Sequence, residues 1–241
     1  MVRRAFKSPP KGEFEMRFVR FQDRVEAGKA LGEALKAKDL ADPIILALPR
    51  GGVPVALEIA RALRAPLGLV LVRKIGVPLQ PELAAGAVVD GDDPEIVWND
   101  DVVRLTGLKE PDLAVLADRE LREIERRREL YFSSRRRVSP VGRSVIVVDD
   151  GLATGATMRA ALHALKRKSP ERLLVAVPVA PADTIEKLGD EADEILCLAQ
   201  PEPFGAIGLY YADFGQLSDA DVIALLAEAD TLKQTKSSKS I

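Results

Sequence analysis

The chain has 241 residues, 47% of them hydrophobic and 30% charged, which is enough for one α/β domain with a sizeable core. Its net charge of −2 leaves no overall basic field of the kind that attracts nucleic acid or an anionic membrane. The longest apolar runs, such as 43–49 and 67–72, are too short to cross a bilayer, and the basic N-terminus lacks an apolar signal core. A single cysteine, Cys197, excludes an intramolecular disulfide, so we expect a cytoplasmic protein.

In chain order, short apolar segments alternate with helical patterns, as in a mostly parallel sheet with helices on both faces. A first helix is predicted over 23–37, with Asp23 as its N-cap and Val25, Leu31 and Leu35 on one face. Further along the chain, the patterns predict buried strands at 43–48, 67–72, 145–148 and 173–179, an edge strand at 194–198, and helices at 53–63 and 158–166.

Two segments interrupt this alternation. Residues 75–101 are rich in Pro, Gly and Asp, and we expect an excursion from the sheet that contains a short strand at 84–89. Residues 111–132 form a charged helical pattern with apolar side chains at near-helical spacing. The last residues, 231–241, are rich in Lys and Ser and are predicted to be a disordered tail.

The most informative stretch is 145–157, where four apolar residues run directly into Asp149 and Asp150. A loop of small residues, 151–157, then opens onto the helical pattern. Backbone amides in such a loop and the dipole of the next helix can hold a phosphate, while paired carboxylates can accept hydrogen bonds from the hydroxyls of a ribose. The pattern therefore predicts a sugar-phosphate site. The alternative is an ordinary strand–turn–helix in which one of the acids is a cap.

This stretch resembles the phosphoribosyl diphosphate (PRPP) signature of the type I phosphoribosyltransferases, with every defining position filled. The resemblance implies that Asp149 and Asp150 contact the ribose hydroxyls. It also implies that the loop holds the 5′-phosphate through its amides and the hydroxyls of Thr154 and Thr157. The loop positions assigned to PRPP are Gly151, Leu152, Ala153, Thr154, Gly155, Ala156 and Thr157.

A second loop, 48–53, follows the first predicted strand. Gly51 and Gly52 allow the backbone to approach a ligand closely, and Arg50 adds a cationic fork suited to phosphate oxygens. The loop resembles the pyrophosphate-binding loop of the same family, in which a strained peptide turns an amide toward the diphosphate. The alternative is a tight strand-to-helix turn with a surface arginine.

Arg73 and Lys74 are expected at the end of the second strand, and ligands of open α/β sheets lie beyond such ends. The resemblance implies that both side chains contact the diphosphate, and that Lys74 acts with the two acids as a catalytic residue. The alternative is a pair of solvated basic residues. The segment 75–101 would correspond to the mobile catalytic loop of the family, which closes over the diphosphate, with Glu82 as a further contact.

The acceptor is less well defined. Some family members that use 6-oxopurines carry an acid two residues before the Thr-Gly of the loop, whereas Leu152 and Ala153 are apolar here, which weighs against a 6-oxopurine acceptor. His163 lies on the helix after the loop, and we interpret it as a boundary or surface histidine rather than a general base.

In this family the acceptor is gripped by a variable hood, which here would come from 14–22 and 200–217. Phe204, Tyr210 and Tyr211 either stack on a flat acceptor ring or belong to the core.

The segment 119–137 holds eight arginines and four glutamates. One interpretation is that it binds an anionic partner such as RNA. The interpretation that we favour is a solvated helix face with ion pairs such as Glu123 and Arg127. A contact between the subunits of a dimer is a third interpretation.

The implied fold is a single α/β, type I phosphoribosyltransferase-like domain over 1–230, with its core at about 41–180, a helical arm at 111–132 and a small hood. We expect an enzyme of nucleotide metabolism that transfers the 5-phosphoribosyl group of PRPP to a nitrogenous base or similar acceptor and releases pyrophosphate, with Mg²⁺ held mainly by PRPP. The alternative is a PRPP- or nucleotide-sensing regulator that binds RNA or a protein through 119–137. A hydrolase or phosphorylase acting on a ribosyl substrate is a third option. No membrane or nucleic acid partner is expected, and a homodimer is left open.

Overall fold

The computed structural model of the chain describes residues 20–78, 80–91, 94–132 and 137–237. Within these ranges the helices are α1 (Arg24–Lys36), α2 (Gly52–Leu63), α3 (Asp100–Thr106), α4 (Glu110–Phe132), α5 (Ala156–Lys166), α6 (Ala182–Leu188) and α7 (Asp219–Ser237), with a 3-10 helix at Ile207–Tyr210. The strands are β1 (Ile44–Ala47), β2 (Leu67–Leu69), β3 (Val72–Val77), β4 (Gln80–Val89), β5 (Glu95–Trp98), β6 (Ser144–Val148), β7 (Arg172–Val179) and β8 (Glu194–Ala199).

A five-stranded sheet forms the centre, with the order β2-β1-β6-β7-β8 and every neighbouring pair parallel. The predicted parallel sheet is confirmed, and the 194–198 segment is an edge strand as expected. In β1, Ile45 and Ala47 point into one apolar cluster, whereas Ile44 and Leu46 point into the other. Because both faces are buried, the central strands are continuous apolar runs rather than alternating ones.

Helices cover both faces of this sheet. One apolar cluster contains buried side chains of α1, α2, α4 and α7, among them Leu31, Leu57 and Leu226. The other contains buried side chains of α5 and α6, among them Leu162 and Leu188. The arrangement is the helix–sheet–helix layering that the alternation of strands and helices predicts.

The first helix begins as its sequence predicts. The Asp23 side chain accepts a hydrogen bond from the backbone N–H of Glu26 at 2.8 Å, which satisfies one of the unpaired amides of the first turn. Leu31 and Leu35 are fully buried. Val25 is 36% exposed, so its predicted place on the buried face is wrong.

The second predicted strand, 67–72, is divided between two sheets. β2 ends at Leu69, and β3 starts at Val72 in a separate antiparallel sheet of order β3-β4-β5. The backbone N–H of Val70 still bonds Ala47 of the central sheet, whereas the carbonyl of Leu71 accepts from Asp90. The sequence does not reveal this passage from one sheet to the other, because the apolar run is unbroken and each sheet buries its part of the run. The predicted short strand at 84–89 is the second half of β4.

Two predictions for the C-terminal half differ in outcome. The charged helix predicted at 111–132 is α4, and its apolar stripe buries Ile124 and Tyr131. α7 continues to Ser237 and so extends into the segment predicted to be a disordered tail from Thr231, while 238–241 lie outside the described residues. None of the helices in the described ranges has the length and apolar content needed to span a membrane.

Candidate functional site

The two loops singled out in the sequence meet at one edge of the central sheet. β1 and β6 are parallel neighbours, so the loops that follow them, 48–53 and 149–157, start side by side. The backbone N–H of Leu48 donates to the carbonyl of Val148 at 2.9 Å. A Cβ placed on Gly51 would overlap the carboxylate of Asp150, so only glycine permits this approach. The Pro49–Arg50 peptide bond, in the first loop, is cis.

Asp149 and Asp150 are held by local contacts. The backbone N–H of Asp150 donates to Asp149 Oδ1 at 2.9 Å, and the Tyr211 hydroxyl donates to the carbonyl of Asp150 at 2.6 Å. The Asp150 residue is only 8% exposed, while Asp149 is half-buried. Burial raises the pKa of Asp149 well above its usual value, and the adjacent Asp150 charge raises this pKa further.

The loop 151–157 is anchored from behind. The Leu152 N–H donates to the carbonyl of Val179 at 2.9 Å, and the Thr184 hydroxyl donates to the carbonyl of Ala153 at 2.7 Å. Gly155, with φ of +69°, precedes the first turn of α5 in a left-handed conformation that favours glycine. The amides of the first turn of α5 are therefore presented at the loop, as anion binding requires.

A cavity of about 580 Å³ lies between this loop and the antiparallel sheet. Thr154 and Thr157 line it from the loop, Lys74 lines it from β3, and Trp98 lines it from β5. The fold therefore brings Lys74 to the same cavity as the two threonines that the sequence assigns to the 5′-phosphate.

Arg73 and Lys74 are not at the end of a central strand, which corrects the prediction, because both lie within β3. Adjacent side chains of a strand point to opposite faces. The Arg73 Nε donates to Glu120 Oε2 of α4 at 2.8 Å, so its guanidinium is already engaged by the arm. Lys74 is the member of the pair that lines the cavity.

Arg50 is 44% exposed and lies 3.8 Å from Asp219 at the start of α7, measured from Nη1 to Oδ1. Asp219 also accepts hydrogen bonds from the Tyr131 hydroxyl at 2.5 Å and from Arg126. The hydrogen bond from Tyr131 is the main reason why the pKa of Asp219 is lowered. Arg50 therefore shares an anionic partner, Asp219, with residues of α4.

Arg24 contacts the acid pair, although its place in the sequence does not predict this contact. Its Nε lies 2.7 Å from Asp150 Oδ2, and its Nη1 donates to the carbonyl of Gly215 at 2.9 Å. The guanidinium carbon lies 3.8 Å from the centre of the Phe214 ring. The sequence carries no signal for this contact, since Arg24 follows the N-cap of α1 as an ordinary helix charge and is 126 positions away from Asp150.

The aromatic residues of the predicted hood are part of an apolar cluster. Tyr210 and Tyr211 are 5% and 1% exposed, which favours the core interpretation over stacking on an acceptor. Phe204 stacks on Tyr210 with ring centres 5.2 Å apart and is half-buried. Phe21 pairs with Tyr211 as an isolated bridge, which joins the two predicted hood segments; residues 14–19 lie outside the described residues.

The remaining candidates are His163, Cys197 and Glu82. His163 Nε2 lies 2.8 Å from Glu191 Oε1 with the side chain 43% exposed, as expected for a boundary histidine, and both residues line the cavity. Cys197 lies in β8, where burial raises the pKa of its thiol to about 11. The Glu82 side chain lies outside the described part of the structure. In that described part, no group of three or more His, Cys, Asp or Glu residues is arranged to hold a metal ion.

The arginines that the structure describes in the 119–137 segment contact acids of the same chain. Arg128 and Arg137 both contact the carboxylate of Asp90, at 2.7 and 2.8 Å, and this carboxylate is 4% exposed. Arg126 contacts Asp219 at 3.2 Å. Within α4 the pairs are Arg122–Asp118, Arg126–Glu123, Arg127–Glu123 and Arg128–Glu125. The predicted Glu123–Arg127 pair is confirmed, and Arg135 and Arg136 lie outside the described residues.

Comparison with known proteins places the chain in a family. Residues 23–212 match the model of the phosphoribosyl transferase domain. Proteins of Mycobacterium tuberculosis strains H37Rv and CDC 1551, each named "Putative phosphoribosyl transferase", are 44% identical over 209 residues, covering 87% of this chain and 47% of each relative. The chain thus spans about half the length of these curated relatives. A crystal structure of a Thermus thermophilus protein is also 44% identical, covers 87% of this chain and 98% of that one, and superimposes with a TM-score of 0.77. With its parallel sheet, its acid pair and its small-residue loop, the chain belongs to the phosphoribosyl transferase domain family.

Proposed function

We propose that the protein transfers the 5-phosphoribosyl group of PRPP to a nitrogen nucleophile and releases pyrophosphate. The proposal rests on one observation. The loop with the acid pair follows β6, the loop with Arg50 follows β1, and the two loops start side by side because these strands are parallel neighbours. With PRPP bound, acceptors for the ribose hydroxyls would lie next to backbone and cationic groups for the diphosphate. Membership of the phosphoribosyl transferase domain family supports the same assignment.

The ribose 5-phosphate half would bind along the β6–α5 loop. Thr154 and Thr157 line the cavity and supply hydroxyl donors, and the amides at the start of α5 supply further donors to phosphate oxygens. Asp149 keeps part of its surface exposed, and Asp150 lies deeper against the first loop. Ionised carboxylates accept hydrogen bonds, so the two would orient the ribose through its hydroxyls.

The diphosphate half would lie against 48–53. Arg50 is exposed enough to reach phosphate oxygens, whereas the missing side chains of Gly51 and Gly52 let this loop pack against Asp150 and Val148 at the end of β6. Lys74 would approach from the antiparallel sheet across the cavity. In the reaction, the bond from the anomeric carbon to the pyrophosphate oxygen breaks, and its electron pair leaves with pyrophosphate. A nitrogen lone pair forms the new bond, and the proton displaced from nitrogen passes to solvent.

The residues of the site contribute by holding the reacting groups in place and by countering the charge that develops on pyrophosphate. Mg²⁺, when bound with PRPP, would neutralise part of that charge. The two adjacent carboxylates fit an ion such as Mg²⁺, which prefers oxygen ligands. The described ranges contain no cluster of three or more acid, His or Cys ligands, so PRPP oxygens and water would supply most of the ligands.

The regulatory alternative has less support. The arginines described in the 119–137 segment are engaged with Asp90, Asp219 and acids of α4 itself, which fits a structural arm better than an exposed basic surface. We therefore place the protein among cytoplasmic enzymes of nucleotide metabolism, with the acceptor to be found by screening.

The proposal is tested by isothermal titration of PRPP with Mg²⁺ into the wild type and into a double variant, Asp149→Asn with Asp150→Asn. We expect micromolar binding by the wild type, because charged hydrogen bonds to ribose and phosphate act together, and no measurable binding by the double variant. A matched control removes two exposed acids elsewhere, Asp118→Asn with Asp183→Asn, and should bind as the wild type does.

Binding in the wild type would be followed by assays of pyrophosphate release with a panel of nitrogen acceptors. A wild type that does not bind PRPP, or a double variant that binds equally well, would overturn the proposed function.

A further inference from the structure

The side chain of Arg24 joins three parts of the molecule at the predicted ribose site. It reaches Asp150 from α1, with both side chains almost buried, at 12% and 11% exposure. Its opposite edge donates to the carbonyl of Gly215, and its flat face lies over the Phe214 ring. These three contacts fix the guanidinium plane, and a charge-assisted bond from a fixed guanidinium fixes the carboxylate as well.

Arg24 holds this carboxylate through the ion pair, and the Asp149 side chain adds a hydrogen bond to it. Gly51 packs against the carboxylate without a side chain, and the Tyr211 hydroxyl bonds the carbonyl of Asp150 rather than its side chain. The ion pair uses Oδ2, and a carboxylate with about four lone-pair sites still has capacity to accept from a hydroxyl.

We infer that Arg24 is a positioning residue for PRPP, which holds the Asp150 carboxylate toward the ribose hydroxyls and ties that carboxylate to the hood segment at Phe214 and Gly215. The inference rests on the proposed function and extends it to a residue outside the loops of the site. Arg24 acts through Asp150 and need not touch the ligand.

Arg24 also favours the ionised form of Asp150. Burial raises the pKa of Asp150, and Arg24 lowers it again through its hydrogen bond and its charge. The other titratable groups facing Asp150 are Asp149 beside it and the Tyr211 hydroxyl. Without Arg24 the pKa of Asp150 would rise further, and more of the protein would carry a protonated Asp150 at neutral pH.

The test is titration of PRPP with Mg²⁺ into Arg24→Gln, Arg24→Lys and Lys36→Gln. Lys36 is the matched control, since it is a cation of the same helix in an exposed pair with Glu33. We expect Arg24→Gln to weaken PRPP binding by roughly 10- to 100-fold, Arg24→Lys to weaken it less, and Lys36→Gln to leave it unchanged. Circular dichroism and thermal melting of each variant check that the fold is retained.

A double-mutant comparison separates positioning from a merely structural role. Arg24→Gln should have little additional effect on PRPP binding once Asp150→Asn is present, because both changes remove the same interaction. If Arg24→Gln folds and binds PRPP as Lys36→Gln does, the inference is wrong and the proposed function stands. If the wild type binds no PRPP, both fail together.

Discussion

At the residue scale, the folded protein disfavours the ionised form of Asp149. The residue is half-buried, and beside it lies the carboxylate of Asp150, whose ion-pair partner is Arg24. Binding sites often keep such groups because a ligand requires them, although the unliganded protein would be more stable without them. The acid pair should therefore lower the stability of the unliganded protein, an effect that can be tested without PRPP.

We predict that Asp149→Asn raises the melting temperature of the unliganded protein by a few degrees at pH 8. The folded-state pKa of Asp149 is raised, so the stability contributed by this residue is fully present below the unfolded pKa of about 3.9 and is lost as the pH rises through the folded pKa. An asparagine does not titrate, and its side-chain oxygen can still accept from the Asp150 N–H. Melting curves from pH 4.5 to pH 8 should show the gain shrinking as the pH falls.

Asp183→Asn is the control for this prediction. The pKa of exposed Asp183 is lowered by its hydrogen bond with Lys187, so its removal should not raise the melting temperature at pH 8. An Asp149→Asn variant that melts at or below the wild-type temperature at pH 8 would show that burial of this charge is not destabilising.

Residues within one short motif were predictable, whereas partners from distant parts of the chain were not. Asp149, Asp150 and Gly155 share one strand–loop–helix segment, so local sequence determines their arrangement. Arg24 and Asp219 reach the site only through the packing of α1 and α7 against the sheet, and a single sequence carries no record of such contacts.

At the element scale, the close crossing of α1 and α2 sets the position of Arg24. A Cβ at Gly28 would lie 2.6 Å from the carbonyl oxygen of Val55 and 2.9 Å from Glu58 Cβ. The helices therefore touch through a glycine, and any larger side chain must push them apart. Since Arg24 lies one turn before Gly28 on the same helix, this crossing also supports the ion pair with Asp150.

We predict that Gly28→Ala destabilises the protein by about 1–3 kcal/mol, because the added methyl group meets backbone atoms that cannot rotate away. Chemical denaturation measures the change directly. Lys29→Ala, at an exposed position next to Gly28 on α1, is the control and should leave stability nearly unchanged. Equal stability of Gly28→Ala and the wild type would contradict the close crossing.

The central elements were predictable because strands and helices alternate with different periods, and β6 and α5 appear almost where the sequence places them. The division between β2 and β3 was not. Local apolarity shows that the 67–72 run is buried, but it carries no information on which sheet each residue joins.

At the scale of the whole molecule, the chain has a net charge of −2, yet the helical arm and the residues after it, 119–137, are rich in arginine. An arm that reads RNA must present unpaired cations to phosphates, with binding that weakens steeply as salt is added. Here Arg128 and Arg137 share the buried Asp90, and Arg126 reaches Asp219 on α7. These contacts attach the arm to the antiparallel sheet and to the last helix.

We therefore predict that the protein does not bind single-stranded RNA in the micromolar range at about 50 mM salt, conditions that favour electrostatic binding. Fluorescence anisotropy of a labelled oligonucleotide is the measurement. Arg122→Gln removes an exposed cation of the arm, with 78% of its side chain accessible, whereas Arg128→Gln removes a partner of a buried carboxylate. We expect Arg122→Gln to change little and Arg128→Gln to lower the melting temperature, because the latter leaves Asp90 with fewer cations. Saturable RNA binding that falls steeply with salt and is weakened by Arg122→Gln would instead make the arm a nucleic-acid surface and revive the regulatory function.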